Sequence, residues 1–289
     1  MYPEILGIGS YIILAVVGFA AGFMLGVIRR KKYGYEIREL IAMLCASIVG
    51  IMIGGKLLFT ITEIPALINH NFSWEIIEKR VLNGGFVFYG GLLGSLLCIY
   101  FLAKYMKADA RKMLNFAVPC FALFHAFGRI GCLLEGCCYG IESSFGFATL
   151  CGYGDNASRF PVQLVEAGVI FVICAILLFV ENDSMKRGQS YEILPIYLIL
   201  YAPARFMLEM TRGDILRGVA NITVDYNTTD GNLNFSFELS TSQIISILIV
   251  IGVVLYYVYR LLLRRHAKKA TLGEETCEVT EPKEEEKTE

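Results

Sequence analysis

Charge is scarce in this chain. Asp, Glu, Lys and Arg supply only 18% of its 289 residues and cancel to a net −1. A soluble domain of this length carries more, about 25%. The near-zero net charge leaves no basic field that would draw in nucleic acid. Histidine is rare, with three in the whole chain, which excludes a His-rich metal centre. Nine cysteines are present, but they are scattered and several fall inside apolar runs. That is not the spacing of a small secreted disulfide scaffold. No Lys or Arg precedes the first apolar stretch. It therefore does not read as a signal peptide, whose leading region is positive, and is expected to be a retained first span.

What the chain has in quantity is hydrocarbon: 55% of its residues are hydrophobic, with a mean hydropathy of +0.56. A bilayer core of about 30 Å needs roughly 20 apolar residues in a helix. Seven stretches meet or approach that length: 5–28, 40–62, 86–105, 113–132, 161–180, 193–210 and 242–263. The expected fold is an all-α integral membrane protein of seven transmembrane helices. Basic residues cluster after spans one, three, five and seven, at Arg29 to Lys32 and Arg38, Lys104 to Lys112, Lys186 and Arg187, and Arg260 to Lys269. The opposite segments hold fewer: Lys79, Arg80, Arg129, Arg159, Arg212 and Arg217. The positive-inside bias then predicts an N-terminus outside and a C-terminus in the cytoplasm.

Three outer segments follow, at 63–85, 133–160 and 214–241, the first with an interfacial helix expected over Trp74 to Arg80. In the third, Ile222, Val224 and Tyr226 alternate with polar residues, as do Leu233, Phe235, Phe237 and Leu239, around Asn227-Thr-Thr-Asp-Gly. That pattern fits a small β-hairpin over about 220–239 with a turn of about five residues; a solvated loop with chance alternation fits it equally. Residues 1–264 are expected to form the membrane domain. The charged stretch 265–289 has too few apolar residues to fold alone and is expected to be a disordered cytoplasmic tail.

Polar residues inside the spans carry the chemistry. Arg129 and Glu135 lie at the end of span four, within a segment punctuated by Gly128, Gly131, Gly136 and Gly140. Charges at such depth are expensive and face a bundle interior or polar cavity. Span six carries Tyr201, Arg205, Glu209 and Arg212 at offsets that place all four on one helical face; a structural Arg–Glu lock is the alternative. His125 sits one turn before Arg129, either as a packing histidine or as a base. Lys56 follows Gly54-Gly55 and is a snorkelling or a ligand residue. Gly90-Gly91 permit close helix packing or a bent backbone that displays Tyr89. Gln163 and Glu166 open span five, as ligands or as a polar rim. Cys132, Cys137 and Cys138 fit inert thiols, nucleophiles, a metal site or a disulfide with Cys151 in an oxidising exterior, but without histidine partners they are a weak zinc set. Two or three converging arginines most simply hold a phosphate, and in a bilayer that phosphate is a lipid head group.

These residues resemble a known family. Gly128-Arg-Ile-Gly131, followed by Gly136 and Gly140, is similar to the signature of the bacterial phosphatidylglycerol–prolipoprotein diacylglyceryl transferases. The resemblance continues through Gly54-Gly55-Lys-Leu, where the family has Gly-Gly-Arg-Leu, and through Gly84-Gly85-Phe-Val-Phe-Tyr-Gly-Gly-Leu-Leu-Gly94, where it has Gly-Gly-Met-Ser-Phe-His-Gly-Gly-Leu-Ile-Gly. Pro161-Val-Gln163-Leu-Val-Glu166 resembles Pro-Ser-Gln-Leu-Tyr-Glu. Arg205-Phe-Met-Leu-Glu209-Met-Thr-Arg212 resembles Arg-Phe-Ile-Val-Glu-Phe-Phe-Arg, and Ser242-Gln243-Ile resembles the opening of the family's last span. The resemblance implies transfer of the diacylglyceryl group of phosphatidylglycerol to the lipobox cysteine of prolipoprotein signal peptides, in the bacterial plasma membrane, without metal or soluble cofactor. It implies that Arg129 and Arg205 bind and polarise the head group, that Tyr11 and Tyr201 line the site, and that Glu209 and Arg212 support it. Lys56, Glu135, Gly140, Gln163 and Glu166 complete the expected substrate-binding set. The family's span-three histidine is Tyr89 here and its asparagine after Gly-Arg-Ile-Gly is Cys132. His125 is therefore the candidate base, with Tyr89 second, and a non-catalytic lipid-binding paralogue is the competing function.

Overall fold

The computed structural model describes residues 4–5, 7–69, 73–78, 85, 87–148, 158–188, 192–213, 219–228 and 231–278. Its contacts divide the chain into one unit over Met1–Arg217 and a second over Gly218–Glu289. The first unit opens with a small hairpin, β1 (Glu4–Ile5) and β2 (Ile8–Gly9), and then α1 (Ser10–Tyr33). It continues through α2 (Ile37–Asn69), α3 (Trp74–Ile76), α4 (Phe88–Tyr105), α5 (Ala110–Glu135), β3 (Glu142–Ala148), β4 (Ser158–Arg159), α6 (Val162–Lys186) and α7 (Ile193–Glu209). The second unit holds β5 (Val219–Thr228), β6 (Gly231–Ser240) and α8 (Thr241–Glu278).

Among the described residues, six helices are long and apolar enough to cross a membrane: α1, α2, α4, α5, α6 and α8. The seventh candidate, α7, has 17 residues and an internal Pro203. The first span begins later than expected. Gly7 takes a left-handed φ of +74°, and the chain turns there before helix sets in at Ser10. The start of α1 is held by Glu135, whose Oε2 accepts from the Tyr11 backbone N at 3.1 Å and the Ser10 hydroxyl at 3.3 Å. A carboxylate there satisfies amides that have no partner within the helix. At the other end Gly34, at φ +72°, closes α1 by donating to Lys31 O, and Tyr35 N donates to Arg30 O.

Close approach of backbones sets the helix pairs. A Cβ added at Gly50, Gly54, Gly90 or Gly94 would strike the backbone of the facing glycine, so α2 and α4 meet main chain to main chain. This is the small-residue interface by which helices associate in lipid, where the hydrophobic effect gives no drive. The paired glycines of α4 therefore serve packing; the helix runs on through them. Gly22 of α1 is similarly pressed on α5, where a Cβ would lie 2.9 Å from Cys120 O. A core of Val118, Ala122, Ala126, Ile170, Ile173, Leu177, Ile193, Tyr197 and Tyr201 joins α5, α6 and α7. Apolar side chains such as Ile12, Val16, Met24, Leu97 and Phe179 stay exposed on the outward faces, as a hydrocarbon solvent permits.

One buried ion pair anchors the end where the basic segments lie. Arg29 of α1 donates through Nε to Glu181 Oε1 of α6 at 3.1 Å and through Nη1 to Phe116 O of α5 at 2.8 Å. Composition marked Arg29 only as one of several cytoplasmic cations; the structure gives it a partner on each of two helices.

In the second unit β5 and β6 pair antiparallel without interruption from Val219↔Ser240 to Thr228↔Gly231. The hairpin reading therefore holds over the loop reading, with a tighter connection than the five residues expected. The register sets Ile222 opposite Phe237, Val224 opposite Phe235 and Tyr226 opposite Leu233. A capping box then starts α8: Gln243 N donates to Ser240 Oγ and Ser240 N to Gln243 Oε1, each side chain satisfying the other's amide. The helix continues through Glu278, past the boundary at 264 expected for a disordered tail, because Ala, Leu, Lys, Arg and Glu after that point are strong helix formers. In the segment 63–85, helix is found over Trp74–Ile76, and Lys79, Arg80 and Gly84 lie outside the described residues.

Gly94→Val should force α2 and α4 apart and lower the unfolding free energy by about 2 kcal/mol or more, the upper range for overpacking. Gly168→Ala on α6, where an added Cβ meets nothing within 4 Å, should leave stability unchanged or raise it by up to about 1 kcal/mol from helix propensity. Unfolding of the detergent-solubilised variants, followed by circular dichroism, checks both.

Candidate functional site

Glu166, on the first turns of α6, is fully buried and gathers three side chains from two other helices. The Tyr201 hydroxyl of α7 donates to its Oε1 at 2.8 Å. Arg205 Nη1 of α7 donates to its Oε2 at 3.2 Å. Arg129 Nε of α5 lies 3.2 Å from its Oε1. The charges then continue in alternation. Arg205 Nη2 pairs with Glu209 Oε2 at 2.6 Å, and Arg212 Nη1 stands 3.7 Å from that same oxygen. Three arginines face two carboxylates, which leaves one positive charge in surplus. Buried charges of this kind persist only when paired, and a surplus cation at a membrane edge is suited to an anionic ligand.

The arginines reach the cluster by different routes. Arg205 and Glu209 share a face of α7, as their spacing requires. Arg212 does not belong to that helix face: α7 stops at Glu209, and the chain turns so that Arg212 forms an antiparallel bridge to Gly140. Ile141 N donates to Thr211 O and Gly213 N to Tyr139 O beside it. Gly140 has no room for a side chain, since a Cβ would meet Phe160 Cβ and Thr211 O at 3.0 Å. Its part is to let Arg212 come close. Gln163 donates from Nε2 to Cys137 O at 2.7 Å and so fixes the loop after α5. The polar atoms of Glu135 go to α1.

His125 is buried beside the cluster. Its ring stacks on Phe88 with centroids 4.1 Å apart and meets Tyr201 edge-on at 5.1 Å. Nδ1 lies 3.2 Å from the Tyr197 hydroxyl, and Nε2 has no hydrogen-bond partner among the described residues. The guanidinium of Arg129 lies 5.7 Å from the Phe88 ring centroid, so Phe88 contacts both cation and imidazole. Tyr89 is also buried, with its ring 5.8 Å from that of Phe88. Tyr11 is half-exposed on α1 and touches the α5 backbone where Gly131 leaves space. Lys56 is half-buried, its Nζ 5.7 Å from the Phe59 ring centroid.

The structure thus brings together Arg129, Glu166, Tyr201, Arg205, Glu209 and Arg212, with His125 against them. Sequence reasoning offered Glu166 as a ligand or as part of a polar rim, not as the shared partner of two arginines, and missed Tyr197. The signal for Glu166 was present: it is the only charge in the apolar stretch 161–180, and such a charge must be paired inside. Cys132, Cys137 and Cys138 are not joined by disulfides, and Cys151 lies outside the described residues. Hydrogen bonding from Cys132 and Cys137, with Arg212 and Arg129 adding to it, holds the Cys138 thiol below the ordinary thiol range.

Glu166→Gln removes the charge that two arginines share. Taking one partner from a buried pair costs about 3–5 kcal/mol, and the variant should lose about 3 kcal/mol of stability. Arg38→Gln, at a solvent-exposed pair with Glu36, should change it by less than about 1 kcal/mol. Denaturant melts of the two proteins in one detergent make the comparison.

A model of the family described as prolipoprotein diacylglyceryl transferase matches residues 3–259. The phosphatidylglycerol–prolipoprotein diacylglyceryl transferase of Clostridium tetani is 32% identical over 260 residues, covering 86% of this chain and 94% of the relative. The protein named phosphatidylglycerol–prolipoprotein diacylglyceryl transferase 2 in Clostridium perfringens is 30% identical over 266 residues, covering 88% and 92%. A relative of the same enzyme name in Dehalococcoides mccartyi is 26% identical over 288 residues, covering 93% and 97%. The helices, the arginine cluster on α5 and α7 and these matches along nearly the whole length agree: the chain belongs to the prolipoprotein diacylglyceryl transferase family.

Proposed function

We propose that this protein transfers the diacylglyceryl group of phosphatidylglycerol to the lipobox cysteine thiol of prolipoproteins. The observation that carries the reading is the pairing of Arg129 and Arg205, from two helices, on one buried carboxylate with a positive charge to spare. In the reaction the sulfur forms a bond to the glycerol carbon of the lipid and the carbon–oxygen bond to phosphate breaks. The electron pair leaves with glycerol phosphate and the thiol proton passes to a base. Arg129 and Arg205 hold the phosphate and stabilise the charge that develops on the leaving oxygen. Glu166 and Glu209 fix the two guanidinium groups in advance, with Tyr201 orienting Glu166; Gly140 and Gln163 hold the loop that carries the Arg212 bridge, and Glu135 holds the start of α1. Tyr11 and Lys56 contact the lipid at the rim. An apolar cavity lined by Phe19, Leu44, Leu92, Phe121, Phe124 and Tyr197 suits an acyl chain.

His125 is the proton acceptor in this reading. With Nδ1–H donating to the Tyr197 oxygen, Nε2 presents a lone pair, the tautomer a base requires. Tyr89 is the weaker candidate, because a phenol near pKa 10 seldom accepts a proton at neutral pH. In this reading the protein lies in the bacterial plasma membrane with seven spans, α7 included, N-terminus outside and C-terminus in the cytoplasm. Lys32, Arg111 and Lys112 line one cavity at the end of the bundle opposite the arginine cluster, in keeping with the positive-inside bias. Residues 1–264 form the transferase domain, 220–239 a recognition hairpin set into it, and 265–289 a tail without chemistry.

Three outcomes follow for a strain depleted of its own transferase. The wild-type gene should restore growth and lipoprotein lipidation; failure to do so overturns the reading. His125→Asn should cut diacylglyceryl transfer to a lipobox peptide by about 10²–10⁴-fold, the usual loss for a general base, while phosphatidylglycerol binding stays near wild type. An unchanged rate between pH 6 and 9 removes His125 from the mechanism. Replacing residues 220–239 by a short Gly/Ser linker should leave lipid binding intact and impair recognition of the protein substrate; lost lipid binding contradicts the role given to the hairpin.

A further inference from the structure

The end of α5 assembles three thiols. The helix stops at Gly136, left-handed at φ +79°, whose N–H bonds to Leu133 O, while Cys137 N bonds to Cys132 O at 3.1 Å. This pair of bonds is the Schellman closure, in which the residue after the left-handed one packs back on the residue five before it. Here those two residues are Cys137 and Cys132. Cys138 follows in a second left-handed conformation, φ +59°, a region costly for a residue with a side chain and found where the surroundings demand it. The outcome is that the three sulfur atoms lie within 4.8 Å of one another. Cys132 is buried, Cys138 half-buried and Cys137 exposed, so the trio is rooted in a helix and open on one side.

We propose that Cys132, Cys137 and Cys138 form a binding site for one thiophilic d10 cation, Zn2+ or Cu+. Three sulfur donors with no carboxylate among them select soft or borderline ions over Mg2+ and Ca2+. The open side leaves a coordination position for water or a further ligand. Binding takes all three sulfurs as thiolates, and the protons still held by the thiols pass to solvent. Three thiolates on Zn2+ carry one net negative charge, and two cations stand at the same end of the bundle: Arg129, three residues before Cys132 on α5, and Arg212, bridged to Gly140 two residues after Cys138. The ligand frame is fixed independently of the ion by Gln163, which holds the Cys137 carbonyl, and by the helix closure itself. Occupancy ties the last turn of α5 to the loop that leads to Gly140, and so to the bridge that places Arg212. The site does not depend on the transferase reading.

Protein reduced and stripped by chelator, then titrated in detergent with Zn2+ or Cu+ against a chromogenic competitor, should take up one equivalent of ion per chain. The Cys137→Ser/Cys138→Ser double variant should lose that uptake, and Cys45→Ser/Cys98→Ser should retain it. In the wild type, either ion should slow alkylation of Cys132, Cys137 and Cys138 by about tenfold or more, because a coordinated thiolate is no longer a free nucleophile, and leave Cys45 unaffected. Equal uptake by both variants, or alkylation of the trio unaltered by both ions, overturns the proposal. So does a Cys132–Cys137 disulfide in protein isolated unreduced from its membrane.

Discussion

A single carboxylate, that of Glu166, decides whether the polar end of this bundle can exist. Arg129 and Arg205 are both nearly inaccessible and arrive on helices otherwise made of hydrocarbon. An unpaired guanidinium at that depth would be too costly to hold in place. Shared between them, Glu166 neutralises part of each, and its second role as acceptor for the Tyr201 hydroxyl fixes which way it faces. Glu209 repeats the arrangement one step outward with Arg205 and Arg212. The guanidinium groups are thereby held in fixed positions by the protein's own carboxylates.

That arrangement needs α5, α6 and α7 to be held in register, and the glycines supply the rest of the frame. Main-chain contact between α2 and α4, and between α1 and α5, packs helices by shape rather than by hydrophobic drive. The polar cluster and the glycine seams thus divide the labour. One fixes charge in one place, and the other fixes distance without using charge at all.

Much of this was legible in the sequence because its signals are local. Apolar stretches long enough to span, the face shared by Tyr201, Arg205 and Glu209, the alternation that becomes β5 and β6, and the block at Gly128-Arg-Ile-Gly131 all lie within one element. What escaped depends on contacts between elements. Glu166 lies at an interval of 39 residues from Arg205, and nothing in the local pattern says that they meet. Glu135 looked like a ligand because its partner is the start of α1, at an interval of 124 residues from it. Arg212 looked like the fourth member of a helical stripe because the nearest breaker, Gly213, follows Arg212 rather than Glu209, where α7 ends. The cysteines were visible as a spacing, but only the helix closure at Gly136 turns that spacing into proximity.

The Arg29–Glu181 pair has a consequence for how the chain is made. Its partners are separated by 152 residues, and the bond closes the first helix onto the sixth. At about 5–20 residues per second of synthesis, Arg29 is translated roughly 8 to 30 seconds before Glu181. During that interval the arginine has no carboxylate and must stay at the aqueous edge, which keeps α1 shallow and unpaired with α6. Arrival of α6 then supplies the carboxylate that closes the bundle at this end. The pair can form only once α6 has been made, and a nascent chain that ends before α6 carries a first helix without this counter-ion.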